Sequence, residues 1–233
     1  VFIVAVFLRL FFLNTIPAGI TNDEIDSIIN AKSFFLSGHV LKPPKGELNH
    51  ILISPIVGPL SFSLAAARFP YVLASLGTVI VLYLIVKKLV GKKQAFFVGL
   101  VAAVNPWGIL FGRTSYEAVL STFFYFLAVY LLLILKKKWI FLAFVPFTLA
   151  FFTYIGTKLI FIPIAFSSIL YAWYLNNKKH LAVYLALFAG ICIVFVLYIV
   201  AFKLTSSAYR TGEITPDLQD VAARVDRNTN LAI

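Results

Sequence analysis

The sequence predicts an all-α protein that crosses a membrane several times, and three observations predict it. Of 233 residues, 61% are hydrophobic and 12% charged, whereas soluble domains run near 45–50% apolar and about 25% charged. The apolar residues fall in long uncharged runs, and lysines fall in tight clusters between those runs. So apolar a composition excludes intrinsic disorder, which requires low hydrophobicity. A water-soluble core of this length would also leave too much apolar surface outside.

A membrane-spanning helix takes roughly 17–25 residues. After a first run at 1–13, the candidate spans are 69–86, 95–112, 118–135, 139–157, 159–175 and 181–202, about seven in all. Residues 48–67 carry no formal charge, yet hold two prolines, a glycine and three serines, with only Arg68 before the next run. That segment reads as interfacial or re-entrant. The chain begins in mid-run without a methionine and ends at Leu231-Ala232-Ile233, so the expectation is a piece truncated at both ends. A signal peptide fits 1–13 poorly, since the run lacks a basic leader and a small-residue cleavage site. The expected organisation is a transmembrane domain at 1–202 with a long first outer loop at 14–67. Residues 203–233 would begin an outer-face segment.

The net charge of +11 raises the question of nucleic acid, and the positions of the charges answer it. Lys87, Lys88, Lys92, Lys93, Lys136, Lys137, Lys138, Lys178 and Lys179 occupy every second loop, with no acid among them. This is the positive-inside pattern, which puts those loops in the cytoplasm. The nine acids (Asp23, Glu24, Asp26, Glu47, Glu117, Glu213, Asp217, Asp220 and Asp226) all fall in the opposite segments. The basic excess therefore anchors loops beside an anionic leaflet and forms no nucleic-acid face. Cys192 sits in mid-span, so no disulfide framework exists.

Chemistry is expected at the outer edge. Asn22-Asp23-Glu24-Ile25-Asp26 opens a helix-like run, with Thr21 or Asn22 as N-cap and Gly38 as C-terminal cap. Ile25, Ile28, Ile29, Ala31 and Phe35 share one face, with Ser27, Asn30 and Ser37 off it, as in an amphipathic helix lying along a membrane. Asp23 and Glu24 read two ways. They are favourable charges at a helix N-terminus, or they are a general base or divalent-cation site at the membrane surface. Arg113 and Glu117 also read two ways: they pair with each other four residues apart, or they face a lipid-linked phosphate. Tyr154 and Lys158 add polar groups at similar depth. His39 and His50 lack metal-ligand spacing and read as solvated loop residues. No Walker loop, dinucleotide fingerprint, nucleophile elbow or zinc motif is present.

Read in order, these segments resemble a known family. FLRLFFLNTIPAGITNDEIDSIINAKSFFLSGH is similar to the first span and first loop of the protein O-mannosyltransferase-like membrane glycosyltransferases of the GT-C superfamily. KPPKGEL with AARFPYVLASLGTVIVLYLIVKKLVG, then NPWGILFGRTSYEAVLSTFF, then FTYIGTKLIFIPI, resemble later stretches of that family in the same order.

The resemblance implies a polyprenyl-phosphate sugar donor, mannose-like hexose first. It also implies a protein or glycan acceptor, inverting transfer, and an active site on the outer face of a prokaryotic cytoplasmic membrane. Asp23 falls at the family's catalytic aspartate, Glu24 completes the acidic pair, and Glu117 falls at the second acidic position. Arg113 and Lys158 fall at donor phosphate-binding positions, with Lys158 in place of the more usual Arg. Asp26, Tyr116 and Tyr154 are candidate substrate-lining residues. Some relatives use a divalent cation (Mg or Mn), which Asp23 and Glu117 would hold here. A competing reading is a lipid-linked sugar flippase or transporter. Transporters, however, carry polar groups near the bilayer midplane, and these spans keep theirs at the outer edge.

Overall fold

Helix is the only regular structure among the described residues, which in this computed structural model are 1–38, 48–60, 63–176 and 180–202. His39, Glu47, Lys178, Lys179 and the segment from 203 onward lie outside them. In chain order the elements are α1 (Phe2–Leu10), α2 (Asn22–Ser37), α3 (Asn49–Val57), α4 (Leu64–Leu89), α5 (Lys92–Val104) and α6 (Pro106–Gly112). There follow α7 (Glu117–Ile134), a 3₁₀ segment (Lys137–Ala143), α8 (Phe144–Thr153), α9 (Thr157–Leu175) and α10 (Leu181–Phe202). The chain forms two compact units, 1–192 and 193–233. Of the second, only the end of α10 is described.

The span count departs from the sequence expectation. Among the described residues four helices are long and apolar enough to cross a membrane, α4, α7, α9 and α10, and α5 with α6 make a fifth bent by 55°. The run at 139–157 becomes a 3₁₀ segment and a ten-residue helix, because the chain turns extended at Tyr154. Residues 48–67 yield only the nine-residue α3 before α4 begins, so they do not form a span. α1, at nine residues, is also too short by itself.

The bend between α5 and α6 has a specific cause. Pro106 has no N–H to give the Ala102 carbonyl one turn back, and Asn105 before it is extended. The Asn105 side chain caps α6 by accepting the Gly108 amide at 3.1 Å. Arg9 of α1 supplies the missing donors. Its guanidinium donates to the Ala103 carbonyl at 2.8 Å, the Ala102 carbonyl at 3.2 Å and Ser75 Oγ of α4 at 2.8 Å. Gly112 of α6 packs directly on Ser75, where a side chain would collide. One buried arginine thus joins α1, α4 and the α5–α6 break.

α4 is the hub of the first unit. It packs against α1, α3, α5, α6 and α7, and α7 packs in turn on α8 and α9. At the N-terminal end of α4, Ile28, Ala31, Ile53, Val57, Ala67, Tyr71, Ala74 and Leu120 form one cluster that seats α2 and α3. Burying Ile28 and Ile53 there stabilises the seat by ~1.5–3 kcal/mol each.

α2 is a helix where the sequence expected one, with a capping box at Thr21 and Gly38 in the left-handed region (φ 72°) as C-cap. The expected apolar face is divided between the protein and the outer surface. Glu24, Ser27, Ile28, Asn30 and Ala31 face inward, while Ile25, Ile29 and Phe35 are exposed. Polar partners on α3 and α4 draw Ser27 and Glu24 inward, and apolar periodicity alone does not register them.

Candidate functional site

Every segment that carries a candidate residue meets at the end of the bundle where α4, α7 and α9 begin. Glu24 ties this end together. Its Oε1 accepts Arg68 Nε at 2.8 Å and its Oε2 accepts the Thr21 amide at 2.9 Å. The Ser115 backbone, in the turn before α7, also bonds this carboxylate. Burial pushes the Glu24 carboxyl up, but the Arg68 hydrogen bond, the Thr21 amide and the Arg68 charge outweigh it. The net effect holds Glu24 below the ordinary carboxylate value. Arg68 and Glu24 are 0% and 1% exposed. Arg68 further donates to the carbonyls of Leu13, Pro17 and Gly19 at 3.1, 3.1 and 2.9 Å. The loop from α1 to α2 is therefore wrapped around one guanidinium.

Asp23 is placed differently. It sits in the first turn of α2, exposed, and its carboxylate makes no hydrogen bond or ion pair among the described residues. Glu24's buried bonds hold the turn on which Asp23 stands. Two adjacent acids thus have separate surroundings, one locked and one open.

Arg113 is buried and bonds carbonyls. It reaches Leu8 at 2.7 Å, Phe11 at 2.5 Å and Ile16 at 2.9 and 3.2 Å. It caps the C-terminal end of α1 and the loop beyond, and it does not pair with Glu117. Glu117 starts α7. The Tyr71 hydroxyl lies in the fields of both Glu117 and Glu24, so the two acidic positions flank one tyrosine. Lys158, in the first turn of α9, is buried with its ammonium 5.8 Å from the centre of the Phe151 ring. The Tyr116 and Tyr154 hydroxyls meet at 3.0 Å. Tyr116 continues into Phe111 and Trp107, whose rings stand 5.1 and 5.5 Å apart along the row. Beside this row a cavity of about 320 Å³ opens between α4, α6 and α7.

Asp26 acts on His50 of α3 through its charge. His50 is a correction: expected in a solvated loop, it is 2% exposed. Burial, only partly opposed by Asp26, lowers its pKa to about 4. Arg9, Arg68, Asn49 and Tyr71 were not proposed as site residues by the sequence reading. Arg68 had a signal, as a lone charge interrupting nearly forty apolar or neutral residues; charges so placed are rarely idle. Among the described residues no group of three or more His, Cys, Asp or Glu side chains is placed to hold a metal ion.

The class these features define is a helical membrane protein that gathers its described acids, with Arg68, Arg113 and Lys158, at one end of the bundle. The chain belongs to the dolichyl-phosphate-mannose-protein mannosyltransferase family, whose model matches residues 50–201. No curated protein and no solved structure matches it. The family match confirms the resemblance read from the sequence and indicates a multi-pass membrane glycosyltransferase acting with a lipid-linked sugar and a protein acceptor. It takes in Arg68, Arg113, Glu117, Tyr154 and Lys158, and it starts beyond Asp23 and Glu24.

Proposed function

We propose that this protein transfers a mannose-like hexose from a polyprenyl-phosphate donor to an acceptor hydroxyl at the outer face of the membrane, with Asp23 as general base. The observation that carries the reading is the contrast within the acidic pair. Glu24 is locked to Arg68, Thr21 and Ser115, while its neighbour Asp23 is exposed and unengaged on a rigidly held turn. A general base must reach the proton it takes, and of the pair Asp23 is the one presented for that.

In the transfer, the acceptor hydroxyl gives its proton to the Asp23 carboxylate as its oxygen attacks the anomeric carbon. The bond from that carbon to the phosphate oxygen breaks on the opposite side, the configuration inverts, and polyprenyl phosphate leaves with the electron pair. Lys158 stabilises the charge that develops on the phosphate. Arg113 and Glu24 act as positioning residues, because their polar atoms are taken up in holding the loop and α2. Tyr116 and Tyr154 line the sugar's approach, and the apolar cavity beside them suits the donor's isoprenoid chain. Should the reaction use a divalent cation, Asp23 and Glu117 would be its carboxylate ligands, with water and the donor phosphate supplying the rest; no step here is routed through one.

Asp23→Asn tests the reading. With radiolabelled polyprenyl-phosphate mannose and an acceptor peptide, the variant is expected to lose transfer by 10²–10⁴-fold, about the share of one general base. Membrane insertion and heat stability should be unchanged. Undiminished transfer would overturn the proposal, and relocation of the donor across the bilayer without transfer would favour a flippase.

A further inference from the structure

The open cavity between α4, α6 and α7 has a buried cation in its wall. Arg9, in the last turn of α1, is 1% exposed and lines that cavity. Its Nε donates to Ser75 Oγ, its Nη1 to the Ala5 and Ala103 carbonyls, and its Nη2 to the Ala102 carbonyl. A guanidinium has five N–H groups, so one on Nη2 has no partner among the described residues. No acid among them pairs with Arg9 either. Carbonyls satisfy N–H groups but bring no net charge, and a buried cation without a counter-charge is costly.

Arg9 Nη2 abuts the part of the wall where α6 is bare. A Cβ on Gly108 would stand 3.5 Å from Nη2, and Gly108 itself lines the cavity. Asn105, on the same wall, takes the Gly108 amide on its Oδ1, while its Nδ2 has no partner among the described residues. Most of the remaining wall is apolar. Trp107 at its edge is 68% exposed, so the cavity is open on the flank of the bundle without any helix moving. Tyr116, whose hydroxyl meets Tyr154 in the candidate site, belongs to the same wall.

Size and charge select the ligand. The cation and the open donors call for an anion, and the apolar wall calls for a hydrocarbon chain. At ~30 Å³ for a water-sized group, a cavity of about 320 Å³ admits on the order of ten non-hydrogen atoms, a phosphate and one isoprene unit. A hexose on that phosphate, or a second chain, would overfill it.

We propose that this cavity binds the spent carrier, polyprenyl phosphate, with Arg9 and Asn105 on its phosphate and its first isoprene unit against Trp107 and Phe111. The rest of the chain leaves through the open flank into the bilayer. The inference rests on the transferase reading, which makes that lipid the product, and adds a phosphate position apart from Lys158. One cavity then takes the donor's chain before transfer and the carrier's phosphate after it.

Gly108→Ala tests this. Its methyl meets nothing closer than 3.5 Å, alanine is the better helix former, and SDS resistance should be unchanged. In the full-length protein, reconstituted in phosphatidylcholine nanodiscs, the Kd is measured for polyprenyl phosphate and for uncharged polyprenol. Wild type is expected to bind the phosphate at least about tenfold more tightly, the scale of a hydrogen bond to a charged group. Gly108→Ala should bring the two within about threefold of each other. A preference kept in Gly108→Ala would overturn the inference, and its loss in Lys158→Gln instead would put the phosphate at that lysine. Equal binding of the two lipids by wild type would also overturn it. So would displacement of polyprenyl phosphate by an equal amount of phosphatidylglycerol, which would make the cavity a general lipid groove. Neither Kd needs turnover, so absence of sugar transfer would remove the proposed function and leave this result readable.

Discussion

Arg68 and Glu24 offer the sharpest test of how the candidate site is held. The Arg68 guanidinium makes bonds of 2.8 Å to Glu24 Oε1 and 3.1, 3.1 and 2.9 Å to the carbonyls of Leu13, Pro17 and Gly19. Arg68→Met keeps the volume of the stem and removes all of them. Breaking a buried ion pair from one side costs ~3–5 kcal/mol, because the partner charge remains buried. Glu24→Gln keeps the shape and the acceptor for Thr21 but removes the charge, and is expected to cost about half as much, ~1.5–3 kcal/mol. The double variant should fall short of the sum by at least ~1.5 kcal/mol, as touching residues do. Heating and SDS titration of the detergent-solubilised protein, read as the fraction remaining monodisperse, supply the four corners of the cycle. Additivity within ~0.5 kcal/mol, or an Arg68→Met cost below ~1 kcal/mol, would refute the argument that this pair organises the loop and α2.

Two further outcomes follow from other buried groups. Arg9→Met removes the donors that satisfy Ala102, Ala103 and Ser75 at the α5–α6 break, so SDS resistance should fall by ~2–4 kcal/mol, with Arg9→Lys between the two. His50 sets a pH window. Its folded pKa of about 4 lies below its ordinary 6.5, so the unfolded chain takes up a proton that the folded chain refuses as pH drops through that interval. Stability is full above about pH 6.5 and should be lower by ~2 kcal/mol at about pH 5; His50→Gln should abolish that decline. The Glu24 contribution, from a depressed carboxyl, is instead present above its ordinary 4.5 and lost as pH falls through its lower folded value, so the two windows separate.

Particular residues show what could be read in advance. Thr21 or Asn22, the acids after them and Gly38 announced α2 and both its ends to within a residue, because caps act over three or four residues and leave a local signature. Long apolar runs announced the spans for the same reason, since the bilayer sets their length. The run at 139–157 is shorter as a helix than its length suggests, because the chain turns extended at Tyr154. Arg113 misled because a cation four residues before a carboxylate suggests a pair, whereas the chain brings Leu8, Phe11 and Ile16 to it from about a hundred positions away.

By itself, then, the sequence determined the helical membrane class, the C-terminal cap of α2 and the family, all of which depend on composition or on neighbours within a few residues. Tertiary structure alone decided the surroundings of the acids and bases. Asp23 and Glu24 are adjacent in the chain and alike in chemistry, and they part only because Arg68, 44 positions on, reaches one of them. His50 became a buried, neutral ring through the meeting of α2 and α3. Such outcomes depend on which distant groups share a low-dielectric space, where an unpaired charge is costly and a paired one is fixed.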